Sequence, residues 1–154
     1  MALKDNLRKI LVINLGGIGD LLLSTPALRA LKNTYPAAHL SVLVSPRAGE
    51  LAKRLPFIDM VYMFHASWNT LSALRKERFD LVITDVLMPR MDGFELTTRL
   101  KKDAIYKDIP VIIVTTRESD ADKRRGLEAG ADAYLLKSEF TSDILLDTIE
   151  RLLG

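Results

Sequence analysis

Three polar side chains stand where short apolar runs end: Asp85 after Leu81-Val82-Ile83-Thr84, Thr115 after Val111-Ile112-Ile113-Val114, and Lys137 after Ala133-Tyr134-Leu135-Leu136. Brought together, a carboxylate, a hydroxyl and an ammonium can surround a phosphoryl group. The carboxylate would accept it, the ammonium would neutralise its charge and the hydroxyl would donate a hydrogen bond. The same aspartate can equally cap the turn that follows, and the lysine can simply be solvated. A second candidate lies nearer the N-terminus, where Gly16, Gly17 and Gly19 precede Asp20. A glycine loop entering a helix offers backbone N–H groups and the positive end of the helix dipole to an anion. It can also do no more than permit a tight turn, with Asp20 complementing the dipole. A dinucleotide fingerprint is excluded, because Leu22 takes the place of its third glycine and no acidic residue follows the second apolar run.

Composition narrows the chemistry further. The chain has no cysteine, which removes disulfides, thiolate metal sites and cysteine nucleophiles. Its two histidines, His39 and His65, are too few for an imidazole cluster, so a metal would have to be held by oxygen. The 22 Lys and Arg nearly balance the 20 Asp and Glu, which leaves no concentrated basic face for nucleic acid. The short runs Lys101-Lys102 and Lys123-Arg124-Arg125 read as solvated helix faces. Neither a signal peptide nor a membrane span is expected, and the expected location is cytoplasmic.

The elements that must position these groups follow from hydrophobic periodicity. Unbroken apolar runs at 10–13, 40–44, 60–64, 81–83, 111–114 and 133–136 read as strands covered on both faces. Helical spacing fills the intervals at 21–34, 48–54, 69–78, 93–102, 120–129 and 142–153. Gly130-Ala131-Asp132 ends a helix ahead of a strand, and Thr141 opens the last helix as its N-cap. Six β-α units with short connections predict one α/β domain over residues 1–154. Its expected form is a doubly wound, three-layer α/β/α sandwich around a six-stranded parallel sheet. Ligand groups in such a fold gather at the carboxyl ends of the strands, where Asp85, Thr115, Lys137 and the glycine loop lie.

From about residue 79 to the end, the chain resembles the receiver domain of two-component response regulators. The segments carrying the resemblance are Phe79-Asp80-Leu81-Val82-Ile83-Thr84-Asp85 with Met88-Pro89 and Asp92-Gly93 after it, Ile109-Pro110-Val111-Ile112-Ile113-Val114-Thr115, and Gly130-Ala131-Asp132-Ala133-Tyr134-Leu135-Leu136-Lys137. The resemblance implies a phosphoacceptor at Asp85, a switch hydroxyl at Thr115, a switch aromatic at Tyr134 and a charge-neutralising Lys137. The family places an acidic pair after its first strand to hold a divalent cation, and this chain has Asn14-Leu15 there. Mg²⁺ is therefore expected to bind weakly if at all, and no cofactor is expected.

Residues 1–80 resemble the opening of heptosyltransferase-type glycosyltransferases of the GT-B fold. This resemblance rests on the strand-glycine loop-helix segment from Lys9 to Leu28, on Tyr35-Pro36, and on Pro56-Phe57-Ile58-Asp59. It implies Asp20 as a vestigial catalytic base, the donor-binding domain having no room in 154 residues. The two resemblances meet near residues 78–83, and a junction there would keep every strand paired in the order 3-2-1-4-5-6. These readings together lead to the expectation of an engineered chimera: a fold test without catalytic activity, carrying only vestigial sites and needing no partner. Receiver-like phosphoacceptor capacity at Asp85 is the alternative, and a glycosyltransferase fragment a further one. The run 61–64 and Trp68 lie on or after an expected edge strand, which makes a monomer or a weak homodimer the expected state.

Overall fold

All six apolar runs form strands in a computed structural model that describes residues 7–16, 18–64, 75–86 and 92–154; among the described residues there are five helices, four between strands and one after the last. The elements are β1 (Lys9–Asn14), α1 (Ile18–Thr34), β2 (His39–Val44), α2 (Pro46–Ala52), β3 (Met60–Met63) and β4 (Leu81–Thr84), then α3 (Gly93–Lys102), β5 (Val111–Thr115), α4 (Asp120–Glu128), β6 (Ala133–Leu136) and α5 (Ser142–Leu153). The helix expected at 69–78 falls mostly outside the described residues, as do Trp68, Met88, Met91 and Gly17. Every strand pair is parallel, and the order is β3-β2-β1-β4-β5-β6. Alternate side chains serve opposite layers. Ile10, Val42, Leu81 and Ile112 pack with α1, α2 and α5 on one face, while Leu11, Val82 and Val111 pack with Leu96 of α3 on the other. Burial on both faces is why these runs do not alternate with polar residues.

Two helix starts differ from the periodicity. α1 begins at Ile18 rather than Leu21, so Gly19 lies in the helix and the loop after β1 is shorter than the glycines suggest. α2 begins at Pro46, an N1 proline whose missing N–H costs nothing in a first turn. The later helices follow their caps: Asp92, Ser119 and Thr141 each accept from the backbone N–H three residues on. α4 ends as expected before Gly130, whose φ of 100° makes the turn into β6.

The amino ends of the strands are closed by a repeated device. Asp59, Asp80 and Asp132 each stand one residue ahead of a strand and turn a carboxylate to the neighbouring strand. Asp59 Oδ2 accepts the Leu40 amide at 2.8 Å, Asp80 Oδ2 the Lys9 amide at 2.8 Å, and Asp132 Oδ2 the Val111 amide at 2.8 Å. Each backbone N–H of these aspartates returns a bond to the same residue's carbonyl. In two of the three, a helix lysine completes the clamp. Lys32 Nζ donates to Asp59 and to the Ala38 carbonyl, and Lys101 Nζ donates to Asp132 and to the Ile109 carbonyl. With the amino edge sealed in this way, the open polar end of the sheet is the carboxyl edge.

Candidate functional site

Asp85 follows β4 directly and is 9% exposed. A carboxylate so placed needs its hydrogen bonds met locally. Its Oδ1 accepts the Val86 amide at 2.7 Å and its Oδ2 accepts the Lys137 ammonium at 2.5 Å. Lys137 follows β6, whose register against β5 sets Leu136 opposite Thr115, and the Lys137 amide donates to the Thr115 carbonyl at 2.8 Å. Thr115 ends β5 fully buried, two residues beyond Ile113, the partner of Thr84 in β4. Three neighbouring strands thus bring carboxylate, hydroxyl and ammonium to one edge. Gly93 holds the acceptor loop from the other side: a Cβ there would lie 2.3 Å from the Asp85 carbonyl oxygen, so α3 can start this close only with glycine.

Tyr134 lies in β6, stacked on Phe94 with ring centroids 6.5 Å apart. Its hydroxyl donates to the Arg117 carbonyl at 2.9 Å, and burial raises its phenol above the ordinary value, the Asp122 charge adding to that. The Arg117 amide in turn donates to Thr115 Oγ1 at 3.2 Å. One peptide segment therefore links the threonine hydroxyl to the tyrosine hydroxyl. Sequence reading missed Arg117, because its role is carried by backbone atoms and leaves no trace in residue type.

The strand β1 contributes Asn14, 8% exposed, whose Nδ2 donates to Ser24 at 3.1 Å and whose Oδ1 accepts the Gly16 amide at 3.2 Å. Ser24 also escaped the sequence reading, although it lies one helical turn beyond Asp20 and donates to the Asp20 carbonyl. The Asp20 carboxylate folds back over Gly16, where an added Cβ would meet its Oδ2 at 1.9 Å. The Gly16 N–H is thus bonded to Asn14 with a carboxylate above it, an arrangement that opposes an anion at this loop. Asp20, Asn14, Asp85 and Lys137 line one shared cavity.

In this cavity a divalent cation would find two carboxylates, Asp85 and Asp20, without an acidic pair directly after β1. Lys137 occupies one oxygen of Asp85, Asn14 Oδ1 is taken by Gly16, and Leu15 carries no donor. Among the described residues no three acidic or imidazole side chains group together.

A sequence profile of the response regulator receiver domain matches residues 56–150. The gliding motility regulatory protein of Myxococcus xanthus is 49% identical over 79 residues, which are 51% of this chain and 10% of that protein. Protein PilH of Pseudomonas aeruginosa is 44% identical over 80 residues, 52% of this chain and 65% of its own length. The chain thus spans less than two thirds of either relative. Chemotaxis protein CheY1 of Helicobacter pylori is 33% identical over 103 residues, 66% of this chain and 81% of its own length. Among solved structures, the receiver domain of a signal transduction histidine kinase from Syntrophus aciditrophicus is 26% identical, with a TM-score of 0.65 over 95% of this chain and 89% of its own. The chemotaxis response regulator CheY4 of Vibrio cholerae shares the fold at a TM-score of 0.65, over 96% of this chain and 99% of its own, with 24% identity.

The expectation of an engineered, inactive chimera is corrected by these matches. The receiver profile begins at residue 56, well ahead of the supposed junction, and receiver structures overlay the first half of the sheet as well as the second. The comparisons give no support to a heptosyltransferase portion. The β1 segment that suggested one is accounted for as a doubly wound fold's first strand and turn, a local pattern that unrelated α/β families share.

Proposed function

The chain belongs to the response regulator receiver domain family, and from that premise we propose that it is a phosphoacceptor signalling module in which Asp85 takes up the phosphoryl group. The observation carrying this reading is the Lys137 ammonium seated on the Asp85 carboxylate at the edge where Thr115 also ends. A carboxylate oxygen of Asp85 attacks the phosphorus of a donor. The new O–P bond forms as the donor's bond to phosphorus breaks, and the donor leaves with that electron pair. Lys137 then pairs with a phosphoryl oxygen, which lowers the repulsion between the incoming group and the carboxylate.

The Thr115 hydroxyl, now an acceptor for the Arg117 amide, would turn to donate to a phosphoryl oxygen. The 115–117 turn moves with it, and Tyr134, held through the Arg117 carbonyl, loses its present anchor. Local charge at Asp85 is thereby converted into a new surface around Tyr134, α4 and β6. The signal read from that surface would be of the kind the relatives' names describe, the control of motility or chemotaxis. The chain itself is modified in this reading and turns over no substrate.

Incubation with phosphoramidate, followed by intact mass spectrometry, tests the proposal. Wild type should gain the mass of one phosphoryl group, and Asp85→Asn should gain none. Equal labelling of both would sink it.

A further inference from the structure

The acceptor site does not end at its polar groups. Asn14, Thr84, Asp85 and Lys137 line one end of a cavity of about 290 Å³, whose other end, between α1, α5 and the sheet, is apolar. The strands impose this division. Successive side chains alternate between faces, so Ile83 shares a face with Asp85 and Val12 with Asn14, each two residues back along its strand. Leu28 of α1 and Leu145 of α5 pack in the same apolar cluster, and Ala27 adds only a methyl group to the wall.

Capture of a phosphoryl group needs only the polar end, and a donor without an apolar part would leave the other end unfilled. Protein interiors hold few voids larger than one water. Small-molecule sites typically join an apolar wall to a few convergent polar groups, with volumes from roughly 300 Å³ upward. An apolar cavity of roughly 150 Å³ already takes up benzene, so this one has room for a single ring beside a phosphoryl group. We propose that the donor at Asp85 is a small acyl phosphate with an apolar body, its phosphoryl group meeting Lys137 and its body lying against Leu28, Ile83 and Leu145. This rests on Asp85 as the phosphoacceptor and adds the class of its donor. An Asp85 carboxylate oxygen attacks phosphorus, the bond from phosphorus to the acyl oxygen breaks, and the donor leaves as its carboxylate with that electron pair. Burial of the body, remote from the reacting atoms, holds the phosphorus against the carboxylate.

The test follows the initial rate of phosphoryl mass gain on the full chain, in buffer containing Mg²⁺, over concentration series of acetyl phosphate and benzoyl phosphate. Phosphoramidate serves as the donor without an apolar body. Benzoyl phosphate should reach half its maximal rate at a concentration roughly tenfold or more below that of acetyl phosphate, as burial of one ring implies. Ala27→Leu should fill the apolar end and remove most of that difference. Benzyl alcohol, an unreactive occupant of the same end, should raise the half-saturating concentration of benzoyl phosphate in wild type and leave labelling by phosphoramidate unchanged; should Ala27→Leu not fold, this competition decides alone. Equal half-saturating concentrations for the two acyl phosphates overturn the proposal, as does a benzoyl preference that neither Ala27→Leu nor benzyl alcohol diminishes. In either case labelling by phosphoramidate keeps the reading of Asp85, whereas labelling by none of the three donors removes both.

Discussion

At Asp85 one carboxylate oxygen takes the Lys137 ammonium and the other the Val86 amide, so a largely buried charge is matched on both sides. Removing the ammonium takes away the charged partner of one Asp85 oxygen. Lys137→Met should therefore lower stability by about 1–3 kcal/mol, read from the urea midpoint at unchanged m-value. A midpoint equal to wild type would show that the pair contributes nothing. Tyr35 is the opposite case. Among the described residues its hydroxyl is buried without a hydrogen-bond partner, and burial, with the charge of Glu150 adding, raises its phenol above the ordinary range. Tyr35→Phe deletes a polar atom that gains nothing in the fold, so stability should be unchanged or higher by up to about 1 kcal/mol. A clear loss in thermal unfolding would mean that the hydroxyl is satisfied in solution.

Among the elements, the aspartate clamps decide how the strands enter the sheet. Burial alone would raise the pKa of Asp59, but the Lys32 hydrogen bond, the Leu40 amide and the Lys32 charge outweigh it and hold the group below its ordinary 3.8. A depressed folded pKa means that the carboxylate's contribution is present above the unfolded value and is lost as pH falls through the folded one. Asp59→Asn should accordingly cost about 1 kcal/mol near neutral pH, the side chain being about a third exposed, and should become indistinguishable from wild type in strong acid. Asp132→Asn should cost a similar amount at neutral pH. The two clamps serve opposite edges of the sheet, five strand spacings or roughly 24 Å apart, so the losses should add. A double mutant well short of the sum in denaturant titrations would argue against independent clamps.

The elements themselves were legible in the sequence. Continuous apolar runs marked strands because both of their faces are covered, and the caps at Ser119 and Thr141 marked helix starts because their side-chain oxygens serve specific amides. The start of α1 was misplaced, since glycines usually signal loop and Gly19 here is helical. The clamps went unread although Asp stands before three strands, because only register reveals that each reaches an amide at the start of the neighbouring strand. Of the site, Asp85, Thr115 and Lys137 could be named from strand-end positions, and Tyr134 only through the resemblance to receiver domains. The Arg117 backbone bridge and the return of Asp20 over Gly16 could not, being consequences of backbone path rather than residue type.

For the whole molecule, one sheet ties the halves together. β1 and β4 pair from Ile10 with Leu81 to Ile13 with Thr84, and a single apolar cluster runs from Leu21 and Leu40 through Ile83 and Ile112 to Ile149. Unfolding followed by far-UV circular dichroism and by Trp68 fluorescence should give coincident transitions, whereas separated midpoints would mean two weakly coupled units. The same sheet brings the ends of β4, β5 and β6 to one edge, and the central claim is that this edge accepts a phosphoryl group on Asp85. A crystal structure with beryllofluoride, a phosphoryl mimic, tests it most directly. The account expects the mimic on an Asp85 carboxylate oxygen, braced by Lys137 and the Thr115 hydroxyl, with the Tyr134 to Arg117 bond broken. An unmodified Asp85 still paired with Lys137 at saturating mimic would contradict it.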